Sequence, residues 1–328
     1  MERSLLHSLE LLTGNRQILA KSFRAEYNSL LILAAGMYAS KNAIADPGKI
    51  RKSTALIKSK THNFSTFRSS PTRFCTATML SLEPEPEKTF DRVLSVYGLL
   101  RKNFSPSFYL ASSACMLASC NTESEIRTSV CAMHDFYRIM KSDHSFLTTG
   151  ESIIYAALAA ESGISKKRFH EKTEIAYLKL KGFFPASSRL LCAYLIALSP
   201  YSEDYGFERT VMIYERLRAK GLRYGKHHEL PVLTLLALTG EDIGKLASEM
   251  KEINRYLRAH RGFGASLGTS QRLMFAALRI CADRATDGNT SDSIAINGAA
   301  AEMLARQQAA TMAAIAASTV VVVSASSN

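Results

Sequence analysis

The stretch "LRYGKHHELP" (222–231) places two histidines and a glutamate side by side. Imidazole and carboxylate groups bind metal ions and transfer protons, so His227, His228 and Glu229 suggest a metal or catalytic site. The alternative is a polar turn between two helices, because a glycine precedes these residues and an apolar run follows them. We assign this loop no catalytic residue and no metal ligand. Its candidate binding residues are Arg223, Tyr224, Lys226, His227 and His228.

A second group of possible ligands comprises His134, Asp135, Asp143 and His144. The first two are expected on an amphipathic helix and the other two in the loop that follows it. Helix ends rich in aspartate and histidine are commonly solvated caps. Since no third ligand or supporting partner is identifiable, the sequence favours a cap over a metal site.

Other chemistry-bearing motifs have simpler interpretations. The glycine-rich "RGFGASLG" (261–268) follows no strand, so it indicates a turn rather than a phosphate-binding loop. The carboxylates of "EPEPEK" (83–88) are expected in an exposed connector, with Glu87 in the first turn of the next helix. In "FSTFRSS" (64–70) and "FSPSF" (104–108), the first phenylalanine is expected to pack between helices and a serine to cap the next helix. The alternative is that a phenylalanine stacked with Arg68 binds a base or a peptide.

The six cysteines form no Cys-x-x-Cys pair and have no zinc-site spacing. The first residues lack the apolar core and cleavage site of a secretory signal. We therefore expect free thiols in a reducing cytoplasm. No cofactor is expected, and no transmembrane segment is predicted, although the mildly apolar stretch 309–323 is the nearest candidate for a membrane anchor.

The charge balance is basic. The 328 residues are 47% hydrophobic and 21% charged, with a formal net charge of +12. Part of the excess lies in a window from 47 to 82 that contains no acidic residue, and its cations are Lys49, Arg51, Lys52, Lys58, Lys60, Arg68 and Arg73. A basic surface suggests a polyanionic partner such as nucleic acid, whereas a solvated lysine-rich face is the plainer interpretation.

The positions of the tyrosines indicate how these residues are held. Tyrosines in amphipathic segments occur at Tyr97, Tyr137, Tyr177, Tyr214 and Tyr256, with steps of 40, 40, 37 and 42 residues. A bulky apolar residue and then an alanine- and leucine-rich stretch follow each of them. The bulky residues are Phe104, Phe146, Phe183, Leu222 and Phe263. One earlier copy contains Ile57, Phe64 and the stretch 75–82.

The pattern predicts an all-α fold. We expect an α-solenoid of about six helix-hairpin repeats of roughly 40 residues, with an N-terminal capping helix within 16–45. Each repeat would pair an amphipathic outer helix with a buried inner helix. The predicted parts are N-terminal capping helices (1–49), the helical-repeat domain (50–285), and a linker with a partly disordered alanine-rich C-terminal helix or tail (286–328). The alternative is a non-repetitive helical bundle.

Several stretches together resemble a known family. They are "ALIKSKTHNFSTFR" (55–68), "LSLEPEPEKTFDRVLSVYGLLRKNFSPSFYLASSA" (80–114), "HSFLTTGESIIYAALAA" (144–160) and "RLMFAALRI" (272–280). Their order and spacing are similar to those of the bacterial domain-of-unknown-function family 4003, found mostly in Firmicutes. The resemblance implies a bacterial, cytoplasmic, helical protein and assigns no role to any residue.

Three functions are compatible with these observations. The favoured hypothesis is a non-catalytic helical-repeat scaffold that binds a protein or peptide partner, because helical repeats present long surfaces and no catalytic motif is found. The alternative is a basic α-solenoid that binds nucleic acid. A weaker alternative is an enzyme with a site in the solenoid groove.

Overall fold

Helices account for all regular structure in the part of the chain that the computed structural model describes, namely residues 2–264, 267–287, 300–301 and 303–306. The α-helices are α1 Arg3–Ser22, α2 Asn28–Ser40, α3 Pro47–Lys60, α4 Ser70–Ser81, α5 Pro86–Leu100, α6 Phe108–Cys120, α7 Ile126–Asp143, α8 Ser152–Glu161, α9 Lys166–Lys179, α10 Ala186–Leu198, α11 Glu203–Ala219, α12 Leu230–Ala237, α13 Ile243–Ala259 and α14 Thr269–Asp287. A short 3-10 helix, Thr66–Arg68, precedes α4. The all-α fold predicted from the sequence is confirmed.

Amphipathic and apolar helices alternate along the chain. The five periodic tyrosines lie on α5, α7, α9, α11 and α13, and the apolar stretches that follow them lie on α6, α8, α10, α12 and α14. In α13, Leu246, Met250, Ile253 and Leu257 recur every three or four residues and are all fully buried. In α12, by contrast, every residue is buried. An amphipathic helix covers one side of the core, whereas an apolar helix lies inside it.

The chain divides into two compact units. The described residues within Met1–Leu5 and Cys120–Leu304 form the larger unit, and those within Leu6–Ser119 and Ala305–Asn328 form the smaller unit. In the larger unit each amphipathic helix packs against the apolar helix that follows it, as α9 does with α10. The amphipathic helices α7, α9, α11 and α13 contact one another in that order, and so do the apolar helices α8, α10, α12 and α14. The hairpins of this unit therefore lie side by side in two rows of helices.

The smaller unit shows related pairings. Helix α3 packs against α4, α2 also contacts α4, and α5 contacts both α3 and α4. Asp46 caps α3 by accepting hydrogen bonds from the backbone N–H groups of Gly48 and Lys49, at 2.8 and 3.0 Å. Pro47 follows it in the first turn, where the missing N–H costs nothing. The start of α3 is thus encoded locally.

The N-terminal segment differs from the prediction of one helix within 16–45. Two helices are present, because α1 ends at Ser22 and α2 begins at Asn28. Tyr27 precedes α2 with an extended backbone, φ −62° and ψ 140°. The Phe23 ring packs edge-on against Phe74, with centroids 5.2 Å apart. This tertiary contact stabilises the break, and no local glycine or proline marks it.

The prediction that Phe64 packs between helices is wrong. Its side chain is 97% exposed, whereas that of Phe67 is fully buried. The 3-10 turn rotates Phe67 inward, where its ring lies 5.5 Å from Phe90 and 5.0 Å from Tyr97. The corresponding prediction for Phe104 is confirmed, since that side chain is buried. In the stretch 64–70, either Phe64 or Phe67 could occupy the one buried position. The conformation of the 3-10 turn places Phe67 there.

Some of the predictions made from the sequence fall on residues that the structure does not describe. The stretch 309–323 and most of 286–328 lie outside the described residues, as do residues 265–266 of the glycine-rich turn. Within the described residues, no helix is both long and apolar enough to cross a bilayer.

Candidate functional site: the loop edge of the larger unit

The stretch "LRYGKHHELP" lies between α11 and α12 and includes the first two residues of α12, and the residues just after α11 terminate that helix. Gly221 has a left-handed φ of +79°. The N–H of Leu222 donates to the Leu217 carbonyl at 2.9 Å, and the N–H of Gly221 donates to the Arg218 carbonyl at 2.9 Å. These two bonds form a Schellman motif, and Leu217 and Leu222, which occupy the positions of its usual apolar pair, are both buried. Leu222 therefore occupies the C″ position of the motif that terminates α11.

Tyr224 lies beneath the loop. Its side chain is only 3% exposed, and burial raises the pKa of its hydroxyl well above the usual range. The backbone at Gly225 is left-handed, with φ +86°. Tyr224 therefore anchors the loop from inside and does not lie on its surface. The other four predicted binding residues have exposed side chains, and they are Arg223, Lys226, His227 and His228.

The two histidines of this loop do not form a metal-binding group with Glu229. His228 Nε2 lies 3.8 Å from Glu229 Oε1, while that same oxygen accepts a hydrogen bond from the Ser270 hydroxyl at the start of α14. Over the described part of the chain, no cluster of three metal-ligating side chains includes His227 or His228. The hydrogen bond between Glu229 and Ser270 links the start of α12 to α14. The two histidines remain candidates for contact with a partner.

Replacing both His227 and His228 with alanine is expected to change the free energy of unfolding by less than about 0.5 kcal/mol, because both side chains are exposed. Leu222→Ala, in the same loop, is the matched comparison and should cost about 2 kcal/mol, because it removes a buried side chain. Thermal and urea unfolding monitored by circular dichroism measure both. A loss of several degrees in the double histidine variant would show that the histidines are structural.

The loops that follow the amphipathic helices lie on one edge of the larger unit. The ring of His144 lies 4.5 Å from that of Tyr177, which joins the end of α7 to the end of α9. Phe184 lies 5.2 Å from Tyr214 and joins the next loop to α11. We call the loops 144–151, 180–185 and 220–229 the loop edge.

Two phenylalanines on the loop edge face solvent. The side chain of Phe146 is 100% exposed and that of Phe183 is 47% exposed. Both occupy the bulky apolar position of the predicted repeat, which does not by itself identify them as surface residues. Each is followed by a second apolar residue, Leu147 or Phe184, and Phe184 is buried. The doubled apolar residue is the sequence signal that could have identified an outward-facing ring.

A cluster of histidines and carboxylates lies where α7 ends beside α9. His170 Nδ1 lies 2.8 Å from Asp143 Oδ2, and His144 Nε2 lies 2.7 Å from Glu174 Oε1. The sequence groups Asp143 and His144 with His134 and Asp135, which precede them in the chain. His170 and Glu174 are absent from that group, although their i,i+4 spacing places both on one face of a helix.

The other members of that sequence group have a different environment. Asp135 pairs with Lys166 of α9 at 2.7 Å, and this hydrogen bond lowers the pKa of the Asp135 carboxyl. His134 precedes it on α7 and is partly buried. Of the four residues, only Asp143 and His144 come together with further histidine and carboxylate side chains.

The cysteines are free, and most are buried. Burial raises the pKa values of Cys75, Cys192 and Cys281 to about 12. At neutral pH these three groups are thiols rather than thiolates, and the thiolate is the reactive form. Buried cysteine therefore supplies no activated nucleophile at these three positions.

Some of the cations in the basic window at 47–82 form ion pairs or hydrogen bonds within the smaller unit. Lys60 pairs with Asp91 at 2.6 Å. The guanidinium of Arg68 donates to carbonyl groups at the end of α3, and Arg73 donates to the Arg68 carbonyl at 2.9 Å. Four cations of the window remain exposed on α3, namely Lys49, Arg51, Lys52 and Lys58. The surface available to a polyanion is smaller than the sequence suggests.

Comparison with known proteins gives a family and no activity. Residues 16–309 match the model of a family described as protein of unknown function (DUF4003). The chain is 24% identical over 241 residues to the uncharacterised protein YeaA of Bacillus subtilis (strain 168). The aligned region covers 71% of this chain and 72% of that protein. No solved structure matches the chain.

Proposed function

This chain belongs to the DUF4003 family, and we propose that it is a non-catalytic helical-repeat scaffold that binds a protein or peptide partner. The observation that supports this proposal most directly is the loop edge, where Phe146 and Phe183 are exposed in successive loops. A fold alone does not determine a function, so the proposal depends on these side chains.

The proposed frame is an α-solenoid of about six hairpins, each of roughly 40 residues. Its support is the alternation of amphipathic and apolar helices in both units and the two rows of helices in the larger unit. Such a frame repeats the same loop at regular intervals, which creates an extended binding surface from short segments.

The loop edge also suggests the chemistry of the partner. Exposed aromatic side chains are frequent anchors of protein interfaces because they bury a large area with little loss of conformational entropy. Arg223 and Lys226 lie exposed in the loop that follows those of Phe146 and Phe183. Cations around apolar anchors favour an acidic partner and steer its approach. We therefore propose a partner segment with apolar side chains flanked by acidic ones.

The nucleic-acid alternative has weaker support. Lys60, Arg68 and Arg73 bond within the protein, so the basic window offers fewer cations to phosphates than its composition suggests. We place the scaffold in the cytoplasm, because all six cysteines are free and a reducing compartment maintains thiols.

Replacing both Phe146 and Phe183 with alanine is expected to reduce recovery of the partner at least about tenfold, because each anchor contributes more than 1 kcal/mol when truncated. The measurement is affinity purification of the tagged full chain from its native cell, with quantitative mass spectrometry and with or without nuclease. Phe146 is fully exposed, so Phe146→Ala alone should unfold as the wild type does. The half-exposed Phe183 ring packs edge-on against Phe207 at 5.5 Å, so the double variant should stay folded and lose about 1 kcal/mol.

Ile44→Ala is the matched control, because Ile44 is 70% exposed and lies outside the loop edge. It should leave recovery of the partner unchanged. Recovery that is lost on nuclease treatment would support the nucleic-acid alternative. Recovery that is the same for the double variant and the wild type would show that the loop edge is not the binding surface.

A further inference from the structure

We propose that Asp143, His170 and Glu174 bind one divalent transition-metal ion, of which Zn²⁺ and Mn²⁺ are examples. Among the described residues, these three form the one cluster of at least three histidine, cysteine or acidic side chains that could surround a single ion. The site is distinct from the proposed scaffold function, because its three ligands lie outside the loop edge.

The distances between donor atoms suit one ion. One donor atom from each of the three side chains lies within 4.8 Å of the others. Two donors on the same ion, each about 2.1 Å from it, can be at most about 4.2 Å apart. Modest side-chain rotations therefore close the site. His170 Nδ1 and Asp143 Oδ2 are already 2.8 Å apart, close to the separation of adjacent ligands on one ion.

Two helices supply these donors. His170 and Glu174 are one turn apart on α9, and Asp143 is the last residue of α7, which contacts α9. Ser142 Oγ donates to Asp143 Oδ1 at 3.0 Å, and the other carboxylate oxygen, Oδ2, is the one that faces His170. The ligands thus occupy helical positions and do not depend on a loop for their spacing.

His144 orients Glu174. Its Nε2 lies 2.7 Å from Glu174 Oε1, and its ring packs on Tyr177. The guanidinium of Arg189 lies 4.1 Å from the centre of the Tyr177 ring. Carboxylate ligands are commonly held by such hydrogen bonds, and loss of such a partner weakens metal binding without abolishing it. We assign His144 as a positioning residue.

The donor set determines the class of ion. One imidazole and two carboxylates supply mixed nitrogen and oxygen ligands, which suit borderline divalent transition metals. Calcium prefers six to eight oxygen ligands, and this cluster offers too few. Three protein ligands leave coordination positions for water, and the exposure of His170, 46% for its side chain, allows water to reach the ion.

The competing explanation is that these groups only pair α7 with α9. The same helix interface contains such a purely structural pair, Asp135 with Lys166, in which a lysine replaces the histidine. A lysine ammonium cannot bind a metal ion, so this pair is an internal control for loss of a carboxylate from the interface.

The test is a metal titration of the purified full chain after treatment with a chelator. Co²⁺ binding is followed by visible absorption and Zn²⁺ binding by calorimetry. We expect one ion per chain for each metal, displacement of Co²⁺ by Zn²⁺, and no displacement by Ca²⁺. Asp143→Asn and Glu174→Gln should each weaken binding more than about 100-fold, whereas His144→Gln should weaken it about 10-fold.

Asp135→Asn should bind Co²⁺ as the wild type does. Thermal unfolding without metal confirms that each variant is folded. The proposal is overturned if the wild type shows no saturable binding of Co²⁺ or Zn²⁺, a result that needs no variant. It is also overturned if folded Asp143→Asn and Glu174→Gln bind the ion with wild-type affinity.

Discussion

Replacing Gly225 with alanine is expected to lower the free energy of unfolding by about 3 kcal/mol, from backbone strain and overpacking together. Gly225 has φ +86°, a conformation that L-residues with a side chain rarely adopt. A Cβ atom here would also meet Leu233, with the Cβ and Cγ of that residue 3.3 Å away and its Cδ2 closer still. Leu233 is fully buried and has little room to move. Urea unfolding measures the change.

Gly221→Ala is the matched control, because it lies in the same loop with φ +79° and has open space around it. It should cost about 1 kcal/mol, the strain of the backbone alone. In a Leu233→Ala background, the cost of Gly225→Ala should fall towards that value, since the Cγ and Cδ2 contacts are removed and only the Cβ contact at 3.3 Å remains. Equal costs for Gly225→Ala in the two backgrounds would show that Leu233 does not restrict this position.

Arg272→Met is expected to lower the free energy of unfolding by about 3 kcal/mol, because it removes the guanidinium donor from two buried carbonyls and from part-buried acceptors beside them. The guanidinium of Arg272 donates to the Phe263, Gly264 and Leu267 carbonyls. It also donates to Asn254 Oδ1 at 3.0 Å. Its side chain is only 6% exposed, so water cannot replace these bonds without local rearrangement. Methionine replaces only the apolar stem of the arginine side chain and donates no hydrogen bond.

Arg255→Met is the control, because Arg255 is exposed on α13, and it should change the free energy of unfolding by less than about 0.5 kcal/mol. Arg272→Lys should recover only part of the loss, since an ammonium cannot reproduce the planar arrangement of guanidinium donors. Equal unfolding midpoints for Arg255→Met and Arg272→Met would contradict the structural role of Arg272. Guanidinium chloride titration followed by circular dichroism compares the three variants.

Part of the candidate site could be predicted from the sequence. The position of "LRYGKHHELP" between two helices follows from Gly221 and Pro231, because a glycine ends one helix and a proline is tolerated in the first turn of the next. The inward position of Tyr224 could not be predicted in the same way. A tyrosine beside a glycine in a polar loop has no local signal for burial, and its direction depends on the left-handed backbone of the loop and on the apolar helices that surround it.

The sequence by itself determined where the amphipathic and apolar helices lie, as in α12 and α13, because helical periodicity and apolar runs are properties of consecutive residues. Only the tertiary structure decided that Phe67 is buried while Phe64 is exposed, and that His170 meets Asp143. It also decided that Arg272, at the start of an apolar helix, is buried against backbone carbonyls. These outcomes depend on neighbours that are distant along the chain, and packing selects among side chains that the local pattern leaves equivalent.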